Sequence, residues 1–301
     1  METPLKPRRG AIPAYGMNEV GQDHLRQEGI VVMDLWNSVT QDPRRLRPHY
    51  HSFFQVMLLK GTGVVMHDFQ DYVVHGQTIL FVTPGEVHTL RPTAEFGGVT
   101  ISFTQSFFDH NAPPPSGLFS MPFFFPVGAP ALLELAPEEA PPVAEGFAEI
   151  YREFQEAQPL AVEALRSWLH LVFVRVTRIY GRRHPLEVPK RQARLVREFV
   201  LAVEAGFRTE HKLAHYAKEL GVTENHLNDM LREQTGLSAG AIIRLRRLRD
   251  AKRLLAHSDL SVSEIGYQTG FGDPSYFSRF FRRHEGVTPI EFREQFREKY
   301  H

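Results

Sequence analysis

No cysteine occurs in this chain, which excludes a disulfide framework and any thiolate metal site. Nor is there an apolar run long enough to cross a bilayer. The opening residues, Met1 to Arg9, lack the apolar segment of a secretory signal. Together these absences point to a cytoplasmic protein. Net charge is missing as well, 35 Lys and Arg offsetting 35 Asp and Glu. What is there is an ordinary globular composition, 42% hydrophobic and 23% charged, and 301 residues suffice for two domains.

The zero net charge conceals a division. Residues 1–189 carry 15 basic against 20 acidic side chains, and residues 190–301 carry 20 against 15. A basic C-terminal part beside an acidic N-terminal part predicts a nucleic-acid partner for the former alone.

Turn signals and short apolar runs organise the front half. After an arm over residues 1–20, strands are expected near 30–35, 53–59, 63–67, 72–75, 78–82 and 99–103. Strands this short and frequent predict a sandwich or small barrel. Residues 110–130 are rich in Pro and Phe and read as an irregular connection, with Phe123-Phe-Phe125 packed on the barrel. Val143, Phe147, Ile150 and Phe154 then recur at helical spacing, and Leu165, Leu169, Val172, Val176 and Ile179 form a second stripe. Two readings of that stripe stand side by side: packing on its own barrel, or a homodimer interface through helix 160–180. Trp168 and Phe173 widen its apolar surface. Residues 181–189 break the pattern and read as a linker.

Beyond the linker, two helix-turn-helix units are written in the sequence. In the first, Ala217 is small where two helices cross, and Gly221, four residues on, tolerates the turn. Tyr216, Leu220, Val222, Leu227 and Met230 supply a core, and Thr223 an N-cap. In the second, Gly266 and Gly270 stand at the same spacing, and Asp273-Pro274 caps and opens the next helix. Phe277, Phe280 and Phe281 fill its core. A long helix over 239–257, rich in Arg, joins the two.

The pattern Arg247-Leu248-x2-Ala251-x2-Leu254-Leu255, then Ile265, Gly270-Phe-x-Asp-x-Ser-Tyr-Phe-Ser-Arg-x-Phe281, Gly286-x-Thr-Pro289 and Phe292-Arg293 closely resembles the AraC/XylS family of bacterial transcription regulators. The resemblance covers residues 190–296. It implies two recognition helices in successive major-groove segments, about one turn (~34 Å) apart, and RNA polymerase as a partner. A helix face in the major groove needs short polar or bidentate groups. Glu224, Asn225, Asn228 and Asp229 fall on that face in the first unit. Pro274, Ser275, Ser278 and Arg279 do so in the second, with Arg282 and Arg283 toward the backbone. The resemblance puts Asn225, Asn228, Ser275 and Arg279 at base-facing positions. Asp229 stands where the family often has a basic residue.

Further forward, Arg47-Pro-His-Tyr-His51-x3-Gln55-x5-Gly61 and Gly76-x7-Pro84-Gly85-x2-His88 resemble the two motifs of cupin barrels. In metal-binding cupins the matching positions hold two His, a Glu and a later His. Here they hold His49, His51, Gln55 and His88, and an amide is a poorer ligand than a carboxylate. A metal-free effector pocket is therefore preferred over a metal site or inert core histidines, and no cofactor is expected. Strand alternation turns His49, His51, Phe53, Gln55 and Met57 to one face, a mix suited to a small polar or aromatic ligand. Arg91, three residues past His88, is placed to pair with a ligand carboxylate.

The expected fold is thus α+β and multidomain: the arm, a cupin-like effector and dimerisation domain over 21–185 with trailing helices, and an all-α DNA-binding domain over 190–301. The expected function is transcription control by a small-molecule effector, activation in particular, and no enzymatic activity.

Overall fold

The computed structural model describes residues 14–20, 24–37, 43–93, 96–109, 118, 121–124, 130–183 and 190–300. They fall into two compact units, residues 14–183 and 190–300. Residues 1–13 and 184–189, parts of the expected arm and linker, lie outside the described residues, as does Phe125.

The first unit is built from two antiparallel sheets. A five-stranded sheet runs in the order β10 (Leu132–Glu134), β7 (Gln77–Val82), β4 (Phe54–Lys60), β9 (Gly97–Phe103) and β2 (Ile30–Asp34). A three-stranded sheet runs β6 (Gln70–Val74), β5 (Gly63–His67) and β8 (His88–Pro92). A short parallel pair, β1 (Ala14–Tyr15) with β3 (Tyr50–His51), completes the strands. Residues 14–20, assigned to the arm, therefore belong to the barrel: the backbone of Tyr15 is paired in register with His51.

Both faces of the large sheet are covered, so its strands are buried on both sides, polar positions such as Gln55, Thr100 and Ser102 included. On β4 every residue from Phe54 to Leu59 is buried. Alternation divides them. Met57 and Leu59 join Leu80, Val82, Val65, Val74 and Leu90 in the core between the sheets. Phe54, Val56 and Leu58 face the other way, with Phe81, Ile101 and Phe103, into a cluster shared with the helices.

Those helices are α1 (Gln105–Phe108), α2 (Ala140–Glu156) and α3 (Ala161–Arg183). Phe123 stacks on Phe81 with ring centroids 4.1 Å apart, and Phe173 meets Phe108 at 5.3 Å. Leu165, Leu169, Val172, Phe173 and Val176 are each 0% exposed within the single chain. This corrects the reading of the α3 stripe as a homodimer interface. Its apolar side chains are consumed by α2 and the sheet, and the outward face carries Leu171 and Val174 instead.

The second unit is all helical: α4 (Lys190–Gly206), α5 (Leu213–Glu219), α6 (Glu224–Thr235), α7 (Ala239–His257), α8 (Val262–Gln268), α9 (Pro274–Glu285) and α10 (Pro289–Tyr300). Polar caps define the ends. Thr223 accepts from the His226 amide at 3.2 Å, Ser238 from Ala241 at 3.2 Å, and Asp273 from both Ser275 and Tyr276. Ser261 and Glu264 form a reciprocal capping box. Gly236 and Gly286 close α6 and α9 in the left-handed region. Around the long α7, Leu248, Ala251 and Leu255 pack with Ile265, Phe271, Phe277, Phe280 and Phe281.

Candidate functional site

Backbone pairing assembles the polar cluster of the barrel. His49 and His88 form an isolated antiparallel bridge, exchanging N–H···O bonds of 3.0 and 2.9 Å. Gly85 donates to the His51 carbonyl at 2.8 Å, tying the turn after β7 to β3. The three imidazoles consequently converge, with ring centroids 4.4 Å apart for His49–His88, 4.9 Å for His49–His51 and 4.8 Å for His51–His88. All three side chains are buried.

Burial pushes His51 well below the ordinary histidine range, with His49, His88 and Arg45 adding repulsion. His88 is pushed the same way, by burial first and then by His49 and His67. Both rings are therefore neutral at pH 7. Phe53 stacks on His51 at 4.5 Å and is shared with the apolar cluster under the helices. Gln55 donates to the Ser102 hydroxyl at 3.0 Å, and its Oε1 is buried with no hydrogen-bond partner among the described residues. Met57 packs in the intersheet core.

Arg91 does not join this group. It lies on the outward side of β8, nearly half exposed, and pairs with Asp71 of β6 at 2.5 Å. The strand pleat that turns His88 inward carries a residue three positions on to the opposite face.

Two contributors escaped sequence reasoning. Tyr15 sets its ring edge-on to His49 at 5.5 Å; nothing in an aperiodic N-terminal stretch signals it. Glu86 and His67 form a buried pair at 3.1 Å beside His88, and Glu86 also accepts from the Thr83 amide at 2.7 Å. The Pro84-Gly85-Glu86 turn was visible, but the partner across two strands was not.

The helical unit presents two recognition faces related by an offset of fifty residues. On α6, Glu224, Asn225 and Asp229 are exposed. Asn228 is half buried, and its Oδ1 accepts from the Ala239 amide at 3.2 Å, at the start of α7. On α9, Ser275, Arg279, Arg282 and Arg283 are exposed. Ser278, the counterpart of Asn228, is half buried and donates to the Pro274 carbonyl at 3.0 Å. Asn228 is thus tied to the start of α7, whereas Ser278 bonds only a carbonyl of its own helix. The outward positions one step further, Asp229 and Arg279, carry opposite charge.

Much of the arginine on α7 is spent internally. Arg247 is buried, donates to the Thr269 carbonyl at 2.9 Å and lies 3.7 Å over the Phe271 ring. Asp250, 1% exposed, holds Arg208 at 3.1 Å and Arg253 at 2.8 Å. No helix among the described residues is long and apolar enough to cross a membrane.

Two family models match the chain: the AraC-like ligand binding domain over residues 38–170 and the helix-turn-helix domain over residues 216–295. A ligand-binding barrel carried with such helical units defines a DNA-binding transcription regulator, not an enzyme. The HTH-type transcriptional activator RhaR of Cronobacter sakazakii is 37% identical over 94 residues, 31% of this chain and 32% of RhaR. The HTH-type transcriptional activator RhaS of Salmonella arizonae is 24% identical over 265 residues, 82% of this chain and 87% of RhaS. The crystal structure of ToxT from Vibrio cholerae O395 aligns over 89% of this chain and 98% of ToxT, with 15% identity and a TM-score of 0.44. The chain belongs to the AraC family of transcription regulators.

Proposed function

We propose that this regulator activates transcription when a small-molecule effector occupies the barrel near His49, His51, Phe53, Gln55 and His88. Converging buried imidazoles and an amide oxygen with no partner among the described residues support that reading, because buried polar groups without partners mark a site for a ligand. The effector acts by binding one arrangement of the protein better than another. Activation, and RNA polymerase as the partner it implies, come from the relatives, which are named activators. The cytoplasm is the compartment such a partner requires.

On DNA, Glu224, Asn225, Asp229, Ser275 and Arg279 meet base edges, and Arg282 and Arg283 neutralise phosphates. The observation that carries this is the fifty-residue repeat: two capped twelve-residue helices with the same positions exposed. Pairing of two copies, where it occurs, leaves the α3 stripe buried and uses other surface.

Footprinting with the full chain tests the reading. Protection of two major-groove segments about one turn (~34 Å) apart on one face is the expected result. Failure to retard any promoter fragment at low salt would overturn it.

A further inference from the structure

The barrel brings together more imidazole nitrogen than the protein itself bonds. His49, His51 and His88 each offer a ring nitrogen, and these lie within 4.8 Å of one another. Both nitrogens of His51 and Nε2 of His88 have no hydrogen-bond partner among the described residues. An unsatisfied buried polar atom is costly, because it has lost its water and gained no partner. The unbonded nitrogens of His51 and His88 stand beside the ring of His49, which a backbone bridge ties to His88, and they call for something that bonds them.

The outer contacts say which kind of partner. His49 Nδ1 lies 2.8 Å from the Arg47 carbonyl oxygen, and His88 Nδ1 lies 3.4 Å from that of Glu86. A carbonyl oxygen accepts a proton and donates none, so Nδ1 carries the hydrogen and the lone pair sits on Nε2. A bare anion is poorly served by lone pairs; a Lewis acid is well served. Carbonyls supporting the far nitrogen are also the usual outer shell of metal-bound imidazole.

We propose that His49, His51 and His88 hold a divalent transition-metal ion of the zinc, cobalt or nickel type, whose remaining positions take an anionic oxygen donor of the effector. Imidazole suits these metals. Imidazole is an uncharged ligand, so three of them leave the ion's charge uncompensated, and the neighbouring polar groups do not supply it. Gln55 is neutral and bonded to Ser102, while Glu86 is engaged by His67 and the Thr83 amide. The balancing charge comes from the ligand, as a carboxylate, hydroxy acid or enolate. This last clause rests on the barrel being the effector site; the metal clause does not. The amide at position 55, which in the sequence weighed against a metal, here sets the sign of the effector.

The test uses the full chain, stripped with chelator and titrated with Co2+. Uptake of one equivalent, with visible d–d absorption that Zn2+ abolishes, is expected. His51→Asn and His88→Gln each weaken uptake on the order of tenfold or more, with far-UV circular dichroism unchanged, and Arg91→Ala leaves it intact. Wild-type protein that takes up no Co2+ and melts at the same temperature with and without it overturns the metal site, independently of any variant. Oxalate added to the Co2+-loaded protein is expected to shift the absorption; an unchanged spectrum overturns the anionic-donor clause. Gel retardation on the same samples separates the failures. Folded protein that binds no metal yet retards DNA refutes this site and spares the regulator reading, whereas protein that binds Co2+ and no DNA does the reverse.

Discussion

Between the first helix-turn-helix unit and the second, helix lengths are kept while the chemistry of each joint changes. Both pair a seven-residue helix with a twelve-residue one. The first turn is Gly221-Val-Thr223; the second is one residue longer, Gly270-Phe-Gly-Asp273. Gly221 has φ +65° and open space around it, whereas Gly270 has φ +83° and sits under the segment that precedes α5. Consecutive arginines of α7 serve the two units. Arg246 lies 4.1 Å over Phe207 and bonds Glu204, near the surface, while Arg247 does the corresponding work in the interior. The recognition helices differ most: α6 carries one Arg against three carboxylates, α9 three Arg against one. One unit is tightly built and basic, the other looser and acidic, so phosphate affinity is concentrated in the second.

The sharpest way to break the comparison is at the turn glycines. A Cβ on Gly270 would stand 2.7 Å from the Arg208 carbonyl oxygen and 2.5 Å from His211. Left-handed strain of about 1–2 kcal/mol adds to overpacking of about 1–3 kcal/mol. Gly270→Ala is therefore expected to destabilise the helical unit by roughly 2–5 kcal/mol, and Gly221→Ala by about 1–2 kcal/mol. Urea unfolding of the full chain, followed for the helical unit, compares them. Equal losses would mean that the approach to His211 carries no weight.

Next in size is the arginine pair. Arg247→Met leaves the Thr269 carbonyl without its buried donor and removes the cation from Phe271, a loss of roughly 2–4 kcal/mol. Arg246→Met removes a more exposed contact and is expected to cost under about 1 kcal/mol. Reversed ranks in the same unfolding assay would show that α7 is anchored mainly to the first unit.

Much of this architecture was legible in the sequence because helix signals are local. Ala217, Gly221, Gly266, Gly270 and the Asp273-Pro274 cap fall where the helices cross, turn and start. Strand signals were weaker. β6 begins at Gln70, before the expected Tyr72, because Asp68 and Phe69 take the two-residue turn with φ of 47° and 72° and no glycine to announce it. β8 was missed because its pairing with β5 is non-local. The histidine cluster was named from motif positions, but its closeness depends on a backbone bridge between residues 49 and 88. Arg91 and Asn228 differ from their expected roles for different reasons: the strand pleat itself carries Arg91 to the face opposite His88, whereas the partner of Asn228, the Ala239 amide, lies elsewhere in the chain.

The smallest expected effect bears most directly on function. Asp229 and Arg279 occupy the same place on their recognition helices, both exposed. If the units share one docking geometry, substitution should act with opposite sign. Arg279→Ala is expected to weaken cognate binding by about 1–3 kcal/mol and to relax base preference there. Asp229→Ala removes a like charge from the phosphate field, so non-specific affinity should rise by a few tenths of a kcal/mol, on the order of a surface charge, while discrimination at the base it faces falls. Titrations at several salt concentrations separate the two contributions, since a lost phosphate contact lowers the salt slope by about one. An Arg279→Ala loss identical on cognate and random DNA would assign that side chain to the backbone. An Asp229→Ala variant that leaves both affinities untouched would take the first unit's acidic face off the DNA, with the second unit then doing the reading alone.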